Sequence, residues 1–406
     1  MPSLGPFPDG MNNTADTSRL PVDVTGNPSA VACAVNMTCD SSGCFHTAPS
    51  AEKVYSGVGI RDGWSCPLGC FFRQGTTVMR FGGQSAEVIC QNIRGSKITW
   101  CYFNGTVYFS DGIVSKKIKG GAVTNWGISS PASAPVISGT NRKNVEIMAC
   151  YTYVAADGSE SGSSPAAVSV SGNVVSRLDD SPDAQAVAKR VYATDPGGST
   201  FYHAATVPRG VNQIDIGADY GGNGTLSTMN KMPPPPGNII RYYSGRIYVV
   251  SGNYIYYTDS FSMDLVSRGT EHVGGESRLN FFGTAERIKI FEPVEGGIWV
   301  VADKTYFISG KNPETAEFVE RSHLSGVEGT SSIDDGGNAR WMTPDGYAVG
   351  GPDGGFAIST KGVAPDIAET GAAGNIELPN GNYDIVVLNE PKTNPKARRG
   401  FSYEYY

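Results

Sequence analysis

The sequence contains few charged residues, few histidines and no long apolar run. Asp, Glu, Lys and Arg together make up 17% of its 406 residues, and there are 4 histidines. No stretch approaches the roughly 18 consecutive apolar residues that a membrane-spanning helix needs, so we predict no membrane span. The N-terminal residues show neither a basic start nor an apolar segment of signal-peptide length, so we expect synthesis in the cytoplasm without secretion.

The hydrophobicity pattern of the sequence also contains no long amphipathic helix. The best candidate, Asp183 to Lys189, covers fewer than two helical turns. The sequence is rich instead in glycine and tyrosine, with 52 and 20 copies. Many glycines, many aromatic residues and few charges are typical of short strands joined by tight turns. We therefore predict an all-β fold.

The net charge of −7 limits the classes of partner. General affinity for nucleic acid requires lysine and arginine side chains that displace counterions from phosphates, and an acidic protein supplies too few of them. The same charge is compatible with a DNA duplex that passes the protein without binding.

The eight cysteines predict free thiols and no metal or other cofactor. In a chain without an export signal, thiols are the expected state of these residues. Cys39-x4-Cys44 and Cys66-x3-Cys70 match no common zinc pattern, although His46 follows Cys44. A zinc site is the alternative to ordinary half-buried thiols. The cysteines are Cys33, Cys39, Cys44, Cys66, Cys70, Cys90, Cys101 and Cys150.

A proline run followed by a hairpin pattern occupies Met232 to Ser260. Pro233 to Pro236 have no amide hydrogens and a fixed φ, so they predict a stiff extended spacer. From Arg246 the residues alternate in hydrophobicity, and Ser251 to Asn253 form a turn signal before Tyr254 to Tyr257. We interpret this as a β-hairpin with an aromatic flank.

Similar hairpins recur along the chain, each with an apolar strand, a tight polar turn and an aromatic strand. Recurrence at spacings of a few tens of residues favours an irregular β-propeller, in which each blade buries its faces against its neighbours. An ordinary two-sheet sandwich with meanders is the alternative. The further predicted turns are Gln74–Gly75, Asn104–Gly105, Ala302–Lys304, Pro344–Gly346 and Pro352–Gly354.

The middle of the chain has a different composition. Ser130 to Pro135 resembles a linker, and Pro131 to Ile216 contains about seven short-strand signals, the size of a small immunoglobulin-like or fibronectin-like β-sandwich. We predict that this sandwich is inserted into the propeller. The predicted domains are 1–130, the N-terminal part of the propeller; 131–218, the sandwich; and 219–406, the C-terminal part of the propeller with a tail.

No catalytic pattern is recognisable, so we predict that the protein is not an enzyme and has no catalytic residues. The sequence contains no Gly-x-Ser-x-Gly nucleophile elbow. Asp179–Asp180 and Asp334–Asp335 are adjacent pairs, and neighbours on a strand point to opposite faces, so we expect solvated turn residues and not a facing acid and base. The histidines His46, His203, His272 and His323 show no metal-helix spacing. The basic cluster Lys392, Lys396, Arg398 and Arg399 predicts a solvated tail, with contact to DNA or to an acidic partner as the alternative.

Several quoted stretches resemble structural proteins of bacteriophage tails. "GPFPDGMNNTADTSRLP" (Gly5 to Pro21) and "AVNMTCDSSG" (Ala34 to Gly43) resemble the opening of these proteins. "CYTYVAADGSESGSSPAAVSV" resembles a strand that ends in a Gly-x-Glu-Ser-Gly loop, and "RVYATDPGGSTFYHAATV" and the proline run with its hairpin resemble the segments that follow. The sequence is most similar to the propeller-containing tail nozzle or hub proteins of short-tailed phages, from about Gly5 to about Gly355. One departure is Cys44-Phe45-His46, where such proteins often carry basic residues.

The resemblance implies a virion component in the tail, made in the host cytoplasm. It implies a ring of copies, expected to be a hexamer, below the portal and adaptor, which forms part of the conduit for genome ejection. The implied partners are other copies, adaptor and portal-proximal proteins, tail fibres and, in passing, DNA without specific binding. The alternative function is a receptor-binding or glycan-binding tail protein on the virion periphery, for which Tyr242–Tyr243 and Trp126 are the expected exposed aromatic residues. A propeller glycosidase, suggested by fold analogy alone, is a third hypothesis.

Overall fold

The computed structural model describes residues 3–4, 11–15, 19–31, 34, 37–39, 42, 44–47, 53–83, 85–139, 146–217, 220–267, 280–360, 363–378 and 381–397. These residues form an all-β fold of small antiparallel sheets, which confirms the predicted fold class at this level. No helix in the described ranges is long and apolar enough to cross a membrane.

The strands of the first half of the chain, in order, are β1 (Ser3–Leu4), β2 (Met37–Cys39), β3 (Phe45–Thr47), β4 (Ile60–Cys66), β5 (Gly69–Gln74), β6 (Thr77–Phe81), β7 (Ala86–Cys90), β8 (Thr99–Phe103), β9 (Thr106–Ser110), β10 (Ser115–Lys119), β11 (Ala122–Asn125), β12 (Val136–Ser138), β13 (Ile147–Ala155), β14 (Ala167–Ser169), β15 (Val174–Ser176), β16 (Ala186–Thr194), β17 (Phe201–Pro208) and β18 (Gln213–Asp215).

The strands of the second half are β19 (Lys231–Met232), β20 (Ile239–Tyr243), β21 (Arg246–Ser251), β22 (Tyr254–Tyr257), β23 (Val266–Ser267), β24 (Phe281–Gly283), β25 (Ile290–Val294), β26 (Gly297–Val301), β27 (Thr305–Ser309), β28 (Phe318–Ser322), β29 (Ser332–Ile333), β30 (Ala339–Thr343), β31 (Gly346–Gly350), β32 (Phe356–Ile358), β33 (Gly371–Leu378) and β34 (Gly381–Leu388), with a 3₁₀ turn at Pro313–Thr315.

Five four-stranded sheets have the same simple topology, in which strands follow one another across the sheet. We name them sheet A (β4 to β7), sheet B (β8 to β11), sheet C (β20, β21, β22 and β24), sheet D (β25 to β28) and sheet E (β29 to β32). The chain divides into two units, 57–283 with sheets A, B and C, and 1–56 with 284–406, which holds sheets D and E.

The predicted hairpin turns are confirmed, because local turn chemistry fixes them. Between β8 and β9, Asn104 and Gly105 have φ of 45° and 75°, the left-handed pair that a two-residue hairpin loop requires. Gly252, between β21 and β22, has φ of 65°. The segment Asp183 to Lys189 forms no helix, since β16 begins within it at Ala186.

Sheet B buries both of its faces, and alternation along its strands decides which side chain faces which neighbour. Trp100 and Phe109 pack with the residues of sheet A, and the Trp100 ring is stacked on Trp64 at 6.1 Å. The adjacent residues Cys101 and Tyr108 face the opposite way and pack with sheet C. Side chains on a strand alternate between faces, so two consecutive residues contribute to two different cores.

The joint between sheets A and B is also fixed by buried polar groups. The Arg73 guanidinium is buried and donates to the carbonyl oxygens of Gly75 and Gly95, each at 2.6 Å. One Asp111 carboxylate oxygen accepts the amides of Arg94 and Gly95, both at 2.9 Å. A β-carbon on Gly95 would lie 1.6 Å from the Asp111 carbonyl oxygen, so only glycine fits there.

The proline run leads directly into sheet C. Pro233 to Pro236 lie outside the strands, and β20 begins at Ile239, as predicted. The amide of Gly237 donates to Ser110 Oγ of sheet B at 3.0 Å, and the amide of Ile240 donates to Thr99 Oγ1, also at 3.0 Å. The spacer therefore delivers the first strand of sheet C against the first strands of sheet B.

Between sheets B and C the chain forms a two-sheet sandwich. One sheet has the order β12-β15-β18 and the other β14-β13-β16-β17. Tyr151, Val191 and Leu178 are among the residues of the core, which also includes Tyr220. In the described part of the chain these strands pair with one another, and β17 forms one further bridge, from Tyr202 to Thr225. The domain bounds 1–130, 131–218 and 219–406, and the immunoglobulin-like or fibronectin-like classification, stay predictions.

The sandwich leaves and rejoins the sheets at one place. Ser130 Oγ donates to the carbonyl oxygen of Lys231 at 3.1 Å, across 101 positions of sequence. Gly162, from a sandwich loop, lies so close that a β-carbon would be 1.9 Å from the same oxygen. The inserted strands can thus be accommodated without separating sheet B from sheet C.

In the other unit, sheets D and E share a core in which Trp299 and Trp341 lie 5.6 Å apart. Trp299 Nε1 donates to the Gly351 carbonyl oxygen at 3.0 Å. The two-stranded hairpin β33–β34 follows sheet E and is attached to it by Arg340, whose Nη1 contacts Asp384 Oδ2 at 2.5 Å.

Asp111 allows a test of the joint between sheets A and B. Its two oxygens accept four backbone amides, those of Arg94, Gly95, Ile113 and Val114. Burial alone raises the pKa of this carboxyl, but the four amide bonds outweigh burial and hold the pKa below its ordinary value. The carboxylate therefore stabilises the fold above the unfolded-state pKa of ~3.9, and this stability is lost as the pH falls through the folded-state pKa.

We expect Asp111→Asn to lower stability at pH 7 by about 1–3 kcal/mol, because an amide offers one acceptor oxygen in place of two. The difference from the unsubstituted protein should shrink below pH ~4, where the carboxylate itself becomes protonated. Thermal denaturation between pH 3 and 7 measures both effects, with Asp303→Asn, at an exposed turn, as the control. A difference that is independent of pH would contradict the role assigned to the charge.

Candidate functional sites

The structure brings no cysteine or histidine group together as a metal site. Within the described residues no three His, Cys, Asp or Glu side chains are grouped for a metal ion. Cys66 is paired with Gly69 across the β4–β5 hairpin, so Cys70 points to the opposite face from Cys66. The Cys39-x4-Cys44 motif is described only in part, because the Cys39 side chain is not described. Cys33 and His272 lie outside the described residues.

Five of the described cysteines are free thiols: Cys66, Cys70, Cys90, Cys101 and Cys150. Burial raises the pKa of Cys101 to about 12 and that of Cys150 to about 12. Both are therefore protonated at neutral pH and are poor nucleophiles. His46 lies in β3, and His203 lies in β17 as expected, where its Nε2 is 2.8 Å from Thr206 Oγ1.

The expectation of solvated aspartate pairs is wrong for Asp334, whose side chain is 11% exposed, whereas Asp180 is exposed as expected but also forms an ion pair. Asp180 accepts a hydrogen bond from the buried Lys189 ammonium at 2.5 Å, and this bond is the largest cause of its lowered pKa. Asp334 is 2.6 Å from Arg340 Nη2. Burial raises the pKa of Asp334, but hydrogen bonds from Asn338 and Arg340 outweigh it and lower the pKa. Both carboxyls are held ionised, the opposite of what the general acid of a glycosidase needs.

Glu160, in the Gly-x-Glu-Ser-Gly loop of the sandwich, is a half-buried acceptor that sequence reasoning did not single out. Its Oε1 accepts from Thr152 Oγ1 at 2.5 Å and from Tyr192 OH at 2.8 Å, and its Oε2 accepts from Arg190 Nη1 at 2.7 Å. Ser161 Oγ accepts the amide of Tyr153 at 2.8 Å. The Glu and Ser of the Gly-x-Glu-Ser-Gly motif thus attach this loop to strands β13 and β16.

The basic cluster near the C-terminus is described in part. Lys396 is exposed and its Nζ lies 2.5 Å from Asp345, and Lys392 pairs through its backbone with Ile367. Arg398 and Arg399 lie outside the described residues. Lys396 is therefore held at a turn of sheet E.

The expected exposed aromatic residues are found in one case of three. Tyr242 has 37% of its surface exposed and stacks on Phe103 at 4.5 Å. Tyr243 is buried, and so is Trp126, whose Nε1 donates to the Met263 carbonyl oxygen at 2.8 Å. The prediction for Trp126 is wrong because residues 259–265, the loop that follows β22, cover its ring. No local sequence pattern at Trp126 indicates a loop so distant in the chain.

Two exposed aromatic features were not predicted. Phe261 has 80% of its surface exposed and a φ of 58°. Tyr254 is 46% exposed and lies 5.7 Å from Phe281 and 6.4 Å from Tyr256, on the neighbouring strands β22 and β24 of sheet C. Phe261 follows a serine in an ordinary polar turn sequence, which gives no signal of its backbone conformation.

Comparison with known proteins gives no family. No family model matches the chain, and no curated protein matches it. Among solved structures, the extracellular domain of a hybrid two-component system from B. thetaiotaomicron is 11% identical, with 76% of this chain and 34% of that chain covered and a TM-score of 0.28. The chain thus spans about a third of the length of that protein.

Two further structures are similar at the same level. The computationally designed Ika8 protein is 11% identical, with 81% of this chain and 96% of that chain covered and a TM-score of 0.24. BBS1N in complex with ARL6DN is 10% identical, with 81% and 92% covered and a TM-score of 0.30. TM-scores this low carry no argument about fold or function.

The Asp180–Lys189 pair permits a test that separates charge burial from packing. Lys189 is 1% exposed, and its Nζ also donates to the Leu178 carbonyl oxygen at 2.9 Å. We expect Asp180→Ala to destabilise the protein by about 1–3 kcal/mol, a figure reduced because the Asp180 side chain is 36% exposed. The loss arises because a buried ammonium remains without its counterion.

The double variant Asp180→Ala/Lys189→Met should recover part of that stability, since methionine fills the space without a charge. Denaturant unfolding of the two single variants and the double variant completes the cycle. If the double variant loses the sum of the two single effects, the two side chains are not coupled and the ion pair is not what stabilises this corner of the sandwich.

Proposed function

We propose that the protein is a structural subunit of a bacteriophage tail, in a nozzle or hub ring below the portal and adaptor, and that it forms part of the conduit for genome ejection. The sequence resemblance to tail nozzle or hub proteins is the observation that carries this proposal. It covers most of the chain, and its motifs from Cys150 onward fall on β13, β14, β16, β17, β20, β21 and β22.

The architecture supports an irregular β-propeller as the body of the subunit. Sheets A to E are four-stranded antiparallel meanders, the unit from which propeller blades are built. Sheet B packs one face on sheet A and the other on sheet C, and sheets D and E share a core, as successive blades do. In this proposal the sandwich between β11 and β20 is the inserted domain.

The sandwich suits a role in assembly because it is firmly attached to sheet B. Lys119 Nζ contacts Asp157 Oδ2 at 2.9 Å, and Asn125 Nδ2 donates to Asp183 Oδ2 at 2.9 Å. Gln185 Nε2 donates to the Gly127 carbonyl oxygen at 3.0 Å. A ring around a DNA conduit needs subunits that keep their shape while genome and neighbouring proteins press on them, and these contacts limit independent motion of the sandwich.

A receptor-binding or glycan-binding tail protein is the second candidate. The observation that favours it is the exposed Tyr254 ring, which contacts the half-buried rings of Tyr256 and Phe281 on sheet C. Exposed aromatic rings stack on sugars and serve as anchors at protein interfaces. The position of the protein in the particle distinguishes the two candidates.

Electron microscopy of tails that carry a tagged copy of this chain tests the proposal. We expect the tag as a ring of densities around the tail axis, six per particle for the expected hexamer, with contacts to the adaptor. Density on projections at the tail periphery would support the receptor-binding candidate, and absence of the protein from purified particles would overturn both.

The charge of the protein gives a second expectation. DNA carries one charge per ~1.7 Å of helix axis, and a protein that makes even ~6–10 phosphate contacts binds it in a strongly salt-dependent manner. With a net charge of −7, the wall of a conduit should repel a passing duplex, with the basic cluster at Lys392 to Arg399 directed to the adaptor or the outside.

We therefore expect the purified protein to show no measurable duplex binding at physiological salt in a mobility-shift assay. A variant with Lys392 and Lys396 replaced by glutamate should behave identically. Strong, salt-sensitive binding that these substitutions abolish would contradict the repelling wall and would indicate a subunit that grips DNA.

A further inference from the structure

The first strands of consecutive sheets lie beside one another within each unit. In the unit 57–283, β4 lies beside β8 and β8 lies beside β20, and in the other unit β25 lies beside β29. β33 continues this series, because it lies beside β29. Asp384 of β34 also contacts Arg340 of β30, the second strand of sheet E. The β33–β34 hairpin therefore stands where a further sheet would follow sheet E, with two strands in place of four.

The free edge of β34 differs from the outer edges of the four-stranded sheets. Proteins protect outer strands from unwanted pairing by keeping them short, by charging them or by placing a bulge in them. β11, β24 and β32 have four, three and three residues, and β7 and β28 carry charged residues and shift register against their neighbours.

β34 has none of these protections. It has eight residues, its register with β33 is regular, and its one charged residue, Asp384, has its carboxylate bound to Arg340. Among the described strands, β33 is its one pairing partner. A long, regular and nearly uncharged edge of this kind is expected to be covered by another strand.

The last described residues lead the chain to the place where a third strand of this sheet would begin. After β34 the backbone of Lys392 pairs with Ile367. A turn follows, in which the Ala397 amide donates to the Asn394 carbonyl oxygen at 2.9 Å. Asn394 Nδ2 in turn donates to the Pro344 carbonyl oxygen at 3.0 Å. The chain is thus fixed to the turn between β30 and β31.

This attachment determines which strands the following residues meet. Since β33 lies beside β29 and β34 contacts β30, the next strand position lies beside β31. β31 begins at Gly346, directly after Asp345, which Lys396 Nζ contacts at 2.5 Å. The turn at 394–397 reverses the chain after β34, so the residues beyond it would run antiparallel to β34, as the successive strands of sheet E do.

The sequence of residues 398–406, "RRGFSYEYY", has the pattern of a strand. From Phe401 to Tyr405 aromatic residues alternate with polar ones, since Ser402 and Glu404 stand between them. A period of two with aromatic residues is typical of a strand that has one face covered. The segment is also long enough to pair along the whole of β34.

We propose that residues 398–406 pair with the free edge of β34 as the third strand of this incomplete sheet. A two-stranded hairpin has little stability of its own, and a third strand provides partners for the backbone amides and carbonyl oxygens along β34. The basic cluster from Lys392 to Arg399 then forms the turn that leads into this strand. The inference does not depend on the proposed function, since it applies equally to a nozzle subunit and to a receptor-binding protein.

The photo-crosslinking amino acid benzoylphenylalanine, placed at position 403 of the full chain, tests where this segment lies. We expect crosslinks within one copy to residues 381–388 or 346–350, the two strands nearest to the segment in this arrangement. A mixture of isotope-labelled and unlabelled protein distinguishes links within one copy from links between copies. Links to other parts of the chain, links between copies alone, or the absence of links would overturn the proposal.

A proline substitution tests whether the segment pairs through its backbone. Ser402→Pro removes an amide hydrogen in the middle of the segment, and proline is not accommodated within a paired strand. The amides of residues 381–388 should then exchange with solvent about tenfold faster in hydrogen-exchange mass spectrometry, because those turned to the edge lose their partners. Ser402→Ala keeps the amide and is the matched control, with exchange as in the unsubstituted protein.

A second peptide shows whether the effect is local. Residues 297–301 form the buried strand β26 of sheet D, and their exchange should be the same in Ser402→Pro and in the control. Unchanged exchange of residues 381–388 in Ser402→Pro would mean that another partner, or none, occupies the edge of β34. Faster exchange in both peptides would mean a general loss of stability, and it too would count against a third strand at β34.

Discussion

The need of each small sheet to cover both of its faces determines this structure. A four-stranded sheet of five-residue strands has almost no interior of its own, so its stability depends on the sheets beside it. Sheet B shows how the sequence meets this need, since the neighbouring residues Trp100 and Cys101 enter two separate cores. A strand buried on both faces reads as a continuous apolar and aromatic run, which is the pattern of "ITWCYF".

Polar groups then fix the distance and angle between neighbouring sheets, which apolar packing alone does not determine. The close approach at Gly95, the buried Arg73 guanidinium and the four amides on Asp111 all act at the joint between sheets A and B. Hydrogen bonds are directional and the hydrophobic effect is not. A joint fixed in this way cannot slide.

The sequence predicted those features whose cause is local. Turns such as Asn104–Gly105 follow from backbone sterics at two residues, and the start of β20 at Ile239 follows from the prolines before it. The features that it did not predict depend on distant partners. Trp126 is buried by a loop more than a hundred positions away, and the exposed Asp180 forms an ion pair with the buried Lys189. Glu160 gained its role through side chains on two other strands. The same limit applies to the predicted propeller, because closure of a propeller depends on how sheets combine and not on any one hairpin.

The fold combines tightly fixed internal contacts with apolar side chains that stay exposed to solvent. The chain enters and leaves the sandwich at Ser130 and Lys231, which are in contact with each other. The sandwich therefore does not interrupt the core between sheets B and C. Against that background, Phe261 and the β33–β34 hairpin expose apolar side chains to water. This exposure does not weaken the fold, because the polar joints and the shared cores hold the sheets without these side chains.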